Sequence, residues 1–440
     1  MQASKTIRLT AKYAGAALFG LFFLVNTKAA NHLTTDTSKH HLPFVQQEID
    51  NPLVLPKGFS YAIVAENVGR VRHIAVTPKG DLYAKLARPI NGKGIFKLVD
   101  TNNDGKYDTS FGFGNYGGTG LAIKNGYLYA SNDQEVFRYE LDKQYDVVNL
   151  GKPERIVTGL INRRQHESKS IALDDKGHIY VNIGAYANAC QEKDRSKGSP
   201  GKMPCPILDS AGGIWQFSVD LPNQSYKEGI RYATGLRNVV GLDWNQSSKS
   251  LFVMQHGRDQ LYDNWPALFT QQQSAELPSE CMYEVKKGDD AGWPYIFYDH
   301  IQKKKILAPE YGGDGVKEGG KDAINPTVAF PGHLAPNGLL FYTGNQFPAK
   351  YKNGAFIAFH GSWNRAPLPQ KGYFVAFVPF KNGKPSGEWE IFADGFAGEP
   401  EIKSPRQAKH RPCGLAQGPD GSLYVSDDNK GFIYKITYKN

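Results

Sequence analysis

The sequence predicts an all-β fold, a six-bladed β-propeller made of four-stranded antiparallel blades. The chain of 440 residues is rich in glycine, tyrosine and phenylalanine, a composition that favours short strands and tight turns. One strand–turn–strand pattern recurs six times along nearly the whole chain. Several copies continue into a further apolar strand, as a four-stranded blade requires.

Each repeat consists of an apolar strand, a polar or glycine-containing turn, and a second apolar strand. Turns of Gly, Asp or Asn between apolar runs are typical of β-hairpins. The copies begin at His73, Gly120, Ser170, Gly241, Gly338 and Gly414. Further strands are predicted from Gly94, Glu135, Gly213 and Gly431. Repetition on this scale favours a radial arrangement, and an open sandwich with similar hairpins is the alternative.

The repeats are unevenly spaced because loops are inserted at about residues 185–211, 259–292 and 299–322. An apolar segment, residues 58–68, precedes the first repeat. We expect this segment to complete the last blade and close the ring. Residues 51–440 are therefore assigned to one propeller domain, and residues 30–50 to an N-terminal linker.

Residues 1–29 have the features of a secretory signal peptide. A positively charged start is followed by an apolar stretch, residues 13–25, which is short for a membrane span. A small-x-small site predicts cleavage after Ala29. Export predicts a periplasmic or secreted protein without a membrane span after cleavage, in an oxidising compartment. An uncleaved anchor is the alternative.

The formal net charge is +9, and part of it lies in the predicted leader. The remaining chain is only mildly basic. Its one polybasic run is Lys303-Lys304-Lys305, and a short run of this kind is typical of a solvated loop. The charge pattern therefore gives no indication of a nucleic-acid partner.

Four cysteines are present. Cys190 and Cys205 flank a polar insert rich in Gly and Pro, and we expect them to pair. Closing a loop of that size contributes roughly 3 kcal/mol on the chain-entropy model. Cys281 and Cys413 either pair or stay free. No C-x-x-C-H spacing for covalent haem is present, and the sequence does not identify an electron acceptor.

The residues just before the first strand of each repeat form a pattern of their own. In a propeller the first strand of each blade lies nearest the axis, so these residues surround the axial channel at one face. They are Arg72, His73, Thr119, His166, Arg237, Asn238, His333, Asn337 and Arg411. The excess of Arg and His favours a planar anionic ligand with several carboxylates. The alternative is that these residues cap loops by hydrogen bonds.

The segment 100–108 has the spacing of a calcium-binding loop. Oxygen-bearing side chains stand at positions 1, 3, 5 and 9, with Gly at position 6. The predicted ligand positions are Asp100, Asn102, Asp104, Lys106 and Asp108. Position 12 is Phe111 rather than Glu, so this is not a full helix–loop–helix site. A metal-free turn is the alternative.

Six segments carry a resemblance to a known family. They are HESKSIALDDKGHIYVNIG, TGLRNVVGLDW, QHGRDQLYDN, GDDAGWP, HGSWNR and RPCGLAQGPDGSLYVSDD. From about Pro56 to its end the chain resembles the glucose/sorbosone dehydrogenase family, and its sorbosone dehydrogenase-like branch in particular. The members are six-bladed propellers that use pyrroloquinoline quinone and calcium.

The resemblance implies a role for individual residues. His166 matches the general base that removes the hydroxyl proton while hydride passes to the quinone. Residues that match cofactor-binding positions are Arg237, Asn238, His256, Arg365 and Arg411. Gly257 and Arg258 match positions whose backbone carbonyls bind a calcium ion that polarises the quinone.

One position departs from the family pattern. Ala185 stands where soluble glucose dehydrogenases carry an Asp that hydrogen-bonds the catalytic His. The sequence therefore predicts a dehydrogenase for an aldose or sugar-like aldehyde, with two alternatives. A non-catalytic ligand-binding propeller is kept open by Ala185. A calcium-dependent lactonase-like hydrolase would need carboxylate or Asn ligands at the axis, where Arg and His dominate instead.

Overall fold

Hairpins with Gly, Asn and Asp turns build six antiparallel blades in the computed structural model, which describes residues 40–41 and 53–439. In the second blade, for example, Asn125 and Gly126 both have positive φ, 49° and 78°. This is the requirement of a two-residue type I′ turn, which joins Leu121–Lys124 to Tyr127–Ser131. The predicted propeller is confirmed.

The blades follow one another in chain order. Blade 1 contains Val71–Val76, Leu82–Ile90, Lys93–Val99 and Thr109–Phe113, with His40–His41 paired to its outer edge. Blade 2 contains Leu121–Lys124, Tyr127–Ser131, Val136–Glu140 and Glu154–Val157. Blade 3 contains Ile171–Leu173, His178–Ile183, Gly213–Ser218 and Ile230–Thr234, with Asp289–Asp290 added in parallel.

The second half of the ring repeats this plan. Blade 4 contains Val239–Asn245, Ser250–Gln255, Glu280–Val285 and Val328–Phe330. Blade 5 contains Pro336–Phe341, Ala355–Phe359, Phe374–Val378 and Glu390–Ala393. Blade 6 contains Pro412–Gln417, Leu423–Asp427 and Ile433–Tyr438 from the C-terminal end, and Phe59–Ala65 from the start of the described chain.

The pairing in blade 6 closes the ring. Phe59–Ala65 runs antiparallel to Ile433–Tyr438, with Phe59 opposite Tyr438. The first strands of consecutive blades also contact one another in a closed cycle around the axis. The expected closure by the segment 58–68 is therefore confirmed.

Six apolar clusters fill the spaces between adjacent blades. The cluster between blades 6 and 1, for instance, joins Val64 and Ile433 to Val71 and Leu82. Each blade is thus apolar on both faces, which is why its strands read as nearly continuous apolar runs rather than as strict alternation. A blade alone would expose both of these faces.

Short elements occupy the inserted loops. Helices span Leu261–Asn264 and Gln271–Glu276, and 3₁₀ turns span Pro206–Asp209, Pro309–Tyr311, Ala349–Tyr351 and Pro405–Gln407. Two small hairpins pair Ile296–Asp299 with Lys304–Leu307, and Phe380–Lys381 with Lys384–Pro385. The second predicted insert, residues 259–292, is too long, because Glu280–Val285 within it is the third strand of blade 4.

Cys190 and Cys205 form a disulfide, as expected. Cys281 and Cys413 are free and buried, in blades 4 and 6. In the described part of the chain, no helix has the length and apolar character needed to cross a membrane. The predicted signal peptide and linker, residues 1–29 and 30–50, lie outside the described residues except for His40–His41.

Candidate functional site

A cavity of about 260 Å³ lies where the inner strands of blades 3, 4 and 5 begin. Its wall is polar and carries side chains of both charges. The described residues that line it are Gln165, His166, Arg195, Arg237, Asn238, His256, Gly257, Asp259, Glu280, His333, Ala335, Trp363 and Asn364. Six residues singled out from the sequence line it together: His166, Arg237, Asn238, His256, Gly257 and His333.

Arg237 is buried just before the inner strand of blade 4. Its Nε donates to the Asn188 carbonyl at 3.1 Å, and its Nη1 donates to the Gly257 carbonyl at 2.8 Å. Its Nη2 donates to Asp259 Oδ2 at 2.8 Å and to Asn188 Oδ1 at 3.0 Å. The guanidinium is therefore a fixed charge in the cavity wall rather than a mobile surface group.

His166 precedes the inner strand of blade 3 and has a left-handed backbone, with φ of 51°. Its Nδ1 contacts the carbonyl oxygen of Ala185. A carbonyl only accepts hydrogen bonds, so Nδ1 carries the proton and Nε2 is the unprotonated nitrogen. Burial, and then the charge of Arg237, lowers the pKa of His166 to about 3. The ring is consequently neutral at physiological pH and can accept a proton at Nε2.

Main-chain groups orient His166. The Ala185 N–H donates to the Arg237 carbonyl at 2.8 Å, and the Ala185 carbonyl accepts from His166. At Gly184 an added Cβ would lie 2.6 Å from His166 Cβ and 2.9 Å from Asn238 Oδ1, so only glycine fits. The carboxylate missing at position 185 is thus replaced by a backbone carbonyl.

Asn238 and His256 line the cavity from the ends of two adjacent strands of blade 4, Asn238 just before Val239–Asn245 and His256 just after Ser250–Gln255. The His256 N–H donates to the Asn238 carbonyl at 2.9 Å. The Asn238 Oδ1 atom is buried without a hydrogen-bond partner, and such an atom is a candidate contact for a ligand or metal. His256 Nε2 lies 3.3 Å from the Pro336 carbonyl, and burial lowers the pKa of His256 to about 3.

Gly257 and Arg258 were predicted to bind calcium through their carbonyls. The Gly257 carbonyl accepts from Arg237, and its second lone pair can still meet a cation. The Arg258 side chain forms a buried ion pair with Glu310. Within residues 40–41 and 53–439, no three His, Cys, Asp or Glu side chains converge as metal ligands. Calcium at Gly257 and Arg258 stays a prediction.

Arg365 and Arg411 lie outside the described lining of the cavity. Arg365 is buried, and its Nη2 pairs with Glu276 Oε1 at 2.7 Å. Arg411 donates from Nε to the His360 carbonyl at 3.1 Å and from Nη2 to the Gly361 carbonyl at 2.7 Å. Both guanidinium groups are held by protein partners, and their predicted contact with cofactor carboxylates is untested.

Among the polar groups at this site that sequence reasoning missed are Asn188, Asp259 and Glu280. Burial favours the neutral form of Asp259, but Arg237 and then His333 hold its pKa well below the usual range. Glu280 accepts from the Gly257 N–H at 3.2 Å, and burial raises its pKa to about 8. Asp259 stood within the QHGRDQ segment and could have been noticed there, whereas Asn188 lies in an insert without any signal.

The loop 100–108 joins the two outer strands of blade 1, away from the cavity. Asp100 Oδ2 accepts from the Gly105 N–H at 2.9 Å, and Asp104 Oδ1 accepts from the Lys106 N–H at 2.8 Å. Asn102 Oδ1 accepts from the Asp104 N–H at 2.9 Å. The Asp100 Oδ1 atom is buried without a partner. Asp108 accepts from Thr101 instead. Calcium in this loop stays a prediction.

The cavity therefore combines three chemical functions. His166 Nε2 can take a proton from a hydroxyl group. Arg237 provides a fixed positive charge for an anionic ligand, although most of its donors are already bonded. The unpartnered Asn238 oxygen offers a contact for a hydrogen-bond donor or a hard cation. A base beside a polar binding surface is suited to oxidising or hydrolysing an alcohol-bearing ligand.

The chain is similar to known proteins in family, sequence and structure. A family model described as TrAA12-like matches residues 53–296 and 316–439, which is most of the chain. The pyrroloquinoline quinone-dependent pyranose dehydrogenase of Coprinopsis cinerea is 26% identical over 336 residues, covering 66% of this chain and 42% of that protein. This chain thus spans less than half the length of that relative.

Two further relatives are similar over nearly their full length. The pyrroloquinoline quinone-dependent sugar dehydrogenase of Hypocrea jecorina is 21% identical over 450 residues, covering 95% of each chain. A calcium structure of a Trichoderma reesei member of Carbohydrate-Active Enzymes Family AA12 superposes with a TM-score of 0.73 at 19% identity, covering 90% of this chain and 99% of that one. At this identity the superposition supports the fold.

Proposed function

Because this chain belongs to the TrAA12-like family, we propose that it is an oxidoreductase that oxidises a sugar with pyrroloquinoline quinone as the hydride acceptor. The names of the Coprinopsis and Hypocrea relatives support both the cofactor and the substrate class. The substrate within that class is an aldose or a sugar-like aldehyde. The observation that carries the proposal is the neutral His166, with Nε2 unprotonated, beside the fixed charge of Arg237.

His166 is the proposed general base. Its Nε2 takes the proton of the sugar hydroxyl, while Nδ1 stays bonded to the Ala185 carbonyl. The bond to Ala185 fixes the tautomer, which is the task of the carboxylate that orients a catalytic His elsewhere. When bound, pyrroloquinoline quinone would supply the electrophilic carbonyl group that accepts the hydride from the sugar carbon.

Arg237, Asn238 and His256 are the residues proposed to hold the cofactor in this cavity. The Asn238 oxygen lacks a partner, which supports its contact with a ligand or with the metal beside it. Arg365 and Arg411 are also proposed to contact the carboxylates of the cofactor. To do so they must exchange their present bonds, to Glu276 and to the Gly361 carbonyl, for bonds to the cofactor. Calcium is proposed on the carbonyls of Gly257 and Arg258, since calcium prefers oxygen ligands.

The test is a titration of the mature protein with pyrroloquinoline quinone in calcium, followed by absorbance. A panel of aldoses and aldehydes is then added. Binding followed by substrate-driven bleaching supports the dehydrogenase, and His166→Ala should abolish the bleaching while the cofactor still binds. Failure of the quinone to bind overturns the proposal.

Two alternatives have distinct outcomes in the same experiment. A non-catalytic binding propeller would bind the cofactor but give no bleaching with any sugar. A calcium-dependent lactonase-like hydrolase would open sugar lactones in calcium without the quinone. The first alternative is weakened by the Ala185 carbonyl, which supplies the orientation that the missing carboxylate would give.

Two properties outside the cavity complete the proposal. The disulfide between Cys190 and Cys205 supports export to an oxidising compartment such as the periplasm.

Calcium in the loop 100–108 is proposed as a structural ion of blade 1. Its test is a rise in Tm on adding calcium, which Asp100→Asn should diminish without affecting the quinone titration.

A further inference from the structure

Trp363 lies on the wall of the cavity and is 57% exposed. Among the described lining residues it is the one large hydrophobic side chain that is mostly exposed. The other walls of the cavity are mainly charged or polar. An aromatic ring left open at the edge of a polar cavity is an available contact surface for a ligand that is itself partly apolar.

The backbone around Trp363 is fixed on both sides. Ser362 is buried; its Oγ donates to Gln370 Oε1 at 2.7 Å, and its carbonyl accepts from Tyr373. On the other side, Arg365 is buried and paired with Glu276. The backbone position of Trp363 at the cavity is therefore set by its anchored neighbours before any ligand arrives.

Asn364 supplies the polar half of the same surface. Its Nδ2 donates to Asp259 Oδ1 at 2.6 Å, which orients the amide. The Asn364 Oδ1 atom is buried and has no hydrogen-bond partner. An aromatic side chain and an unsatisfied amide oxygen thus belong to two consecutive residues that both line the cavity.

A pyranose ring matches this pair of groups. One face of the ring presents polarised C–H groups, which are attracted to the electron-rich face of an indole, and its edge carries hydroxyl donors. We propose that Trp363 is the platform on which the substrate's pyranose ring stacks, and that Asn364 Oδ1 accepts a hydrogen bond from one of its hydroxyls. This inference rests on the proposed function and assigns its substrate class to cyclic sugars.

The cofactor is the competing occupant of the platform, because it is planar and aromatic. Trp363 is exposed whereas Arg237 and Asn238 are buried, at 3% and 6% exposure. A ligand held by the buried groups fills the inner part of the cavity first. The exposed ring then remains for the ligand that enters and leaves at every turnover, which is the sugar.

The test begins with the protein free of cofactor. Acrylamide quenching of tryptophan fluorescence is measured with and without D-glucose, D-galactose and D-xylose, and the acyclic polyol glycerol serves as the comparison ligand. Sugar should protect the quenchable tryptophan, and Trp363→Phe should remove that protected signal. Trp389→Phe is the matched control, because Trp389 packs against Phe330 of blade 4 and Phe374 of blade 5, outside the cavity.

Steady-state kinetics of the quinone-loaded protein provide the second measurement. Trp363→Ala should raise KM for the sugars roughly tenfold and leave kcat within about twofold, since a stacked aromatic contact contributes on the order of 1 kcal/mol. Trp363→Phe should restore most of the affinity. Equal protection by glycerol, absence of protection by every sugar, or a weaker quinone affinity in Trp363→Ala with unchanged KM would each overturn the inference. Failure of the quinone to bind wild-type protein refutes the proposed function instead.

Discussion

His166 and Ala185 show that a side chain and a main-chain group can perform the same positioning task. A carboxylate and a carbonyl oxygen both accept a hydrogen bond from Nδ1, so both select the tautomer with Nε2 free. They differ in charge. A carboxylate would also raise the pKa of the imidazole, whereas the neutral Ala185 carbonyl does so only weakly against burial and Arg237.

This difference predicts the pH behaviour of His166. Burial and Arg237 lower its pKa to about 3, so His166 should remain neutral throughout the range from about pH 5 to 8 in which an ordinary His titrates. In the proposed mechanism the neutral ring is the active form, so activity that depends on it should not fall as the pH drops through 6.5. Imidazole ¹⁵N NMR of the cofactor-free protein measures the titration directly. Arg237→Gln should move the pKa upward, and a wild-type midpoint near 6.5 would contradict the prediction.

Gly184 provides a second prediction for the same residue. In Gly184→Ala the new Cβ would lie 2.6 Å from His166 Cβ and 2.7 Å from its carbonyl oxygen, so the loop carrying His166 must shift. We expect kcat to fall at least tenfold, because displacing His166, the proposed general base, costs on the order of 1–2 kcal/mol or more. Gly151→Ala, where nothing lies within 4 Å, is the control and should be neutral. Equal activity of the two variants would argue against a positioned His166.

The sequence allowed Arg237 to be predicted as a site residue, but not the residues that bind its side chain. Arg237 was identified from its place before a blade, because strand order alone brings such residues to the axis. Its partners Asn188 and Asp259 were not, since a buried guanidinium takes acceptors from whatever segment folds over it. In the case of Asn188 that segment is an inserted loop, whose path is set by tertiary contacts and leaves no periodic pattern.

At the scale of elements, the inserted loop 185–211 is the structure that carries Asn188 to Arg237. It is closed by the disulfide between Cys190 and Cys205, which are 15 residues apart. Asn188 also binds Asp259 through two hydrogen bonds, from its Nδ2 to the Asp259 carbonyl at 2.9 Å and from the Asp259 N–H to its Oδ1 at 2.8 Å. The loop therefore joins blade 3 to the Gly257–Asp259 turn of blade 4.

Removing the disulfide should loosen this connection. A Cys190→Ser/Cys205→Ser variant should unfold at a lower temperature, because the crosslink contributes about 3 kcal/mol on the chain-entropy model. Quinone affinity should also fall, since Asn188 positions Arg237. Differential scanning calorimetry and the absorbance titration measure the two effects. Reductant should lower the unfolding temperature and the quinone affinity of the wild-type protein and change neither property of the variant. Unchanged quinone affinity would mean that the loop does not support the site.

The strand Glu280–Val285 shows where element prediction from sequence fails. It pairs with Ser250–Gln255 over five residues, yet the sequence reading placed it inside an insert. The hairpin signal is a short turn between two strands, and here 24 residues with two helices separate the partners. Strands joined by short Gly or Asn turns were predicted well because local geometry fixes them, whereas this pairing is decided by the neighbouring blades.

At the scale of the whole molecule, stability depends on a joint between the two ends of the described chain. In blades 1 to 5 the four main strands follow one another along the chain, with His40–His41 and Asp289–Asp290 as added edge strands of blades 1 and 3. Blade 6 instead combines Phe59–Ala65 with three strands from 412–438. The apolar faces between blades are covered only when the ring is complete, so this one pairing contributes to every interface in the ring. The site depends on the same closure, because blades 3, 4 and 5 hold its walls at fixed distances.

Phe59 is the residue at which this dependence can be measured. Its ring contacts Phe347, Tyr351, Phe392 and Tyr438 with centroids 4.8, 5.3, 5.0 and 4.9 Å away, which joins the closing strand to both blade 5 and blade 6. Phe59→Ala removes these aromatic contacts, three of them edge-to-face, from a partly buried side chain, so the free energy of unfolding should fall by up to about 3 kcal/mol.

The loss should appear as a Tm lower by several degrees in a single transition, because opening the ring uncovers the interfaces on both sides of blade 6 and these in turn hold the next blades. Val54→Ala is the control. Because Val54 is 67% exposed, this substitution should change the free energy of unfolding by no more than about 0.5 kcal/mol. Two separate unfolding transitions in Phe59→Ala, with quinone binding lost only in the second, would contradict this prediction. They would mean that blade 6 opens alone and that the other blades hold the cavity without a closed ring.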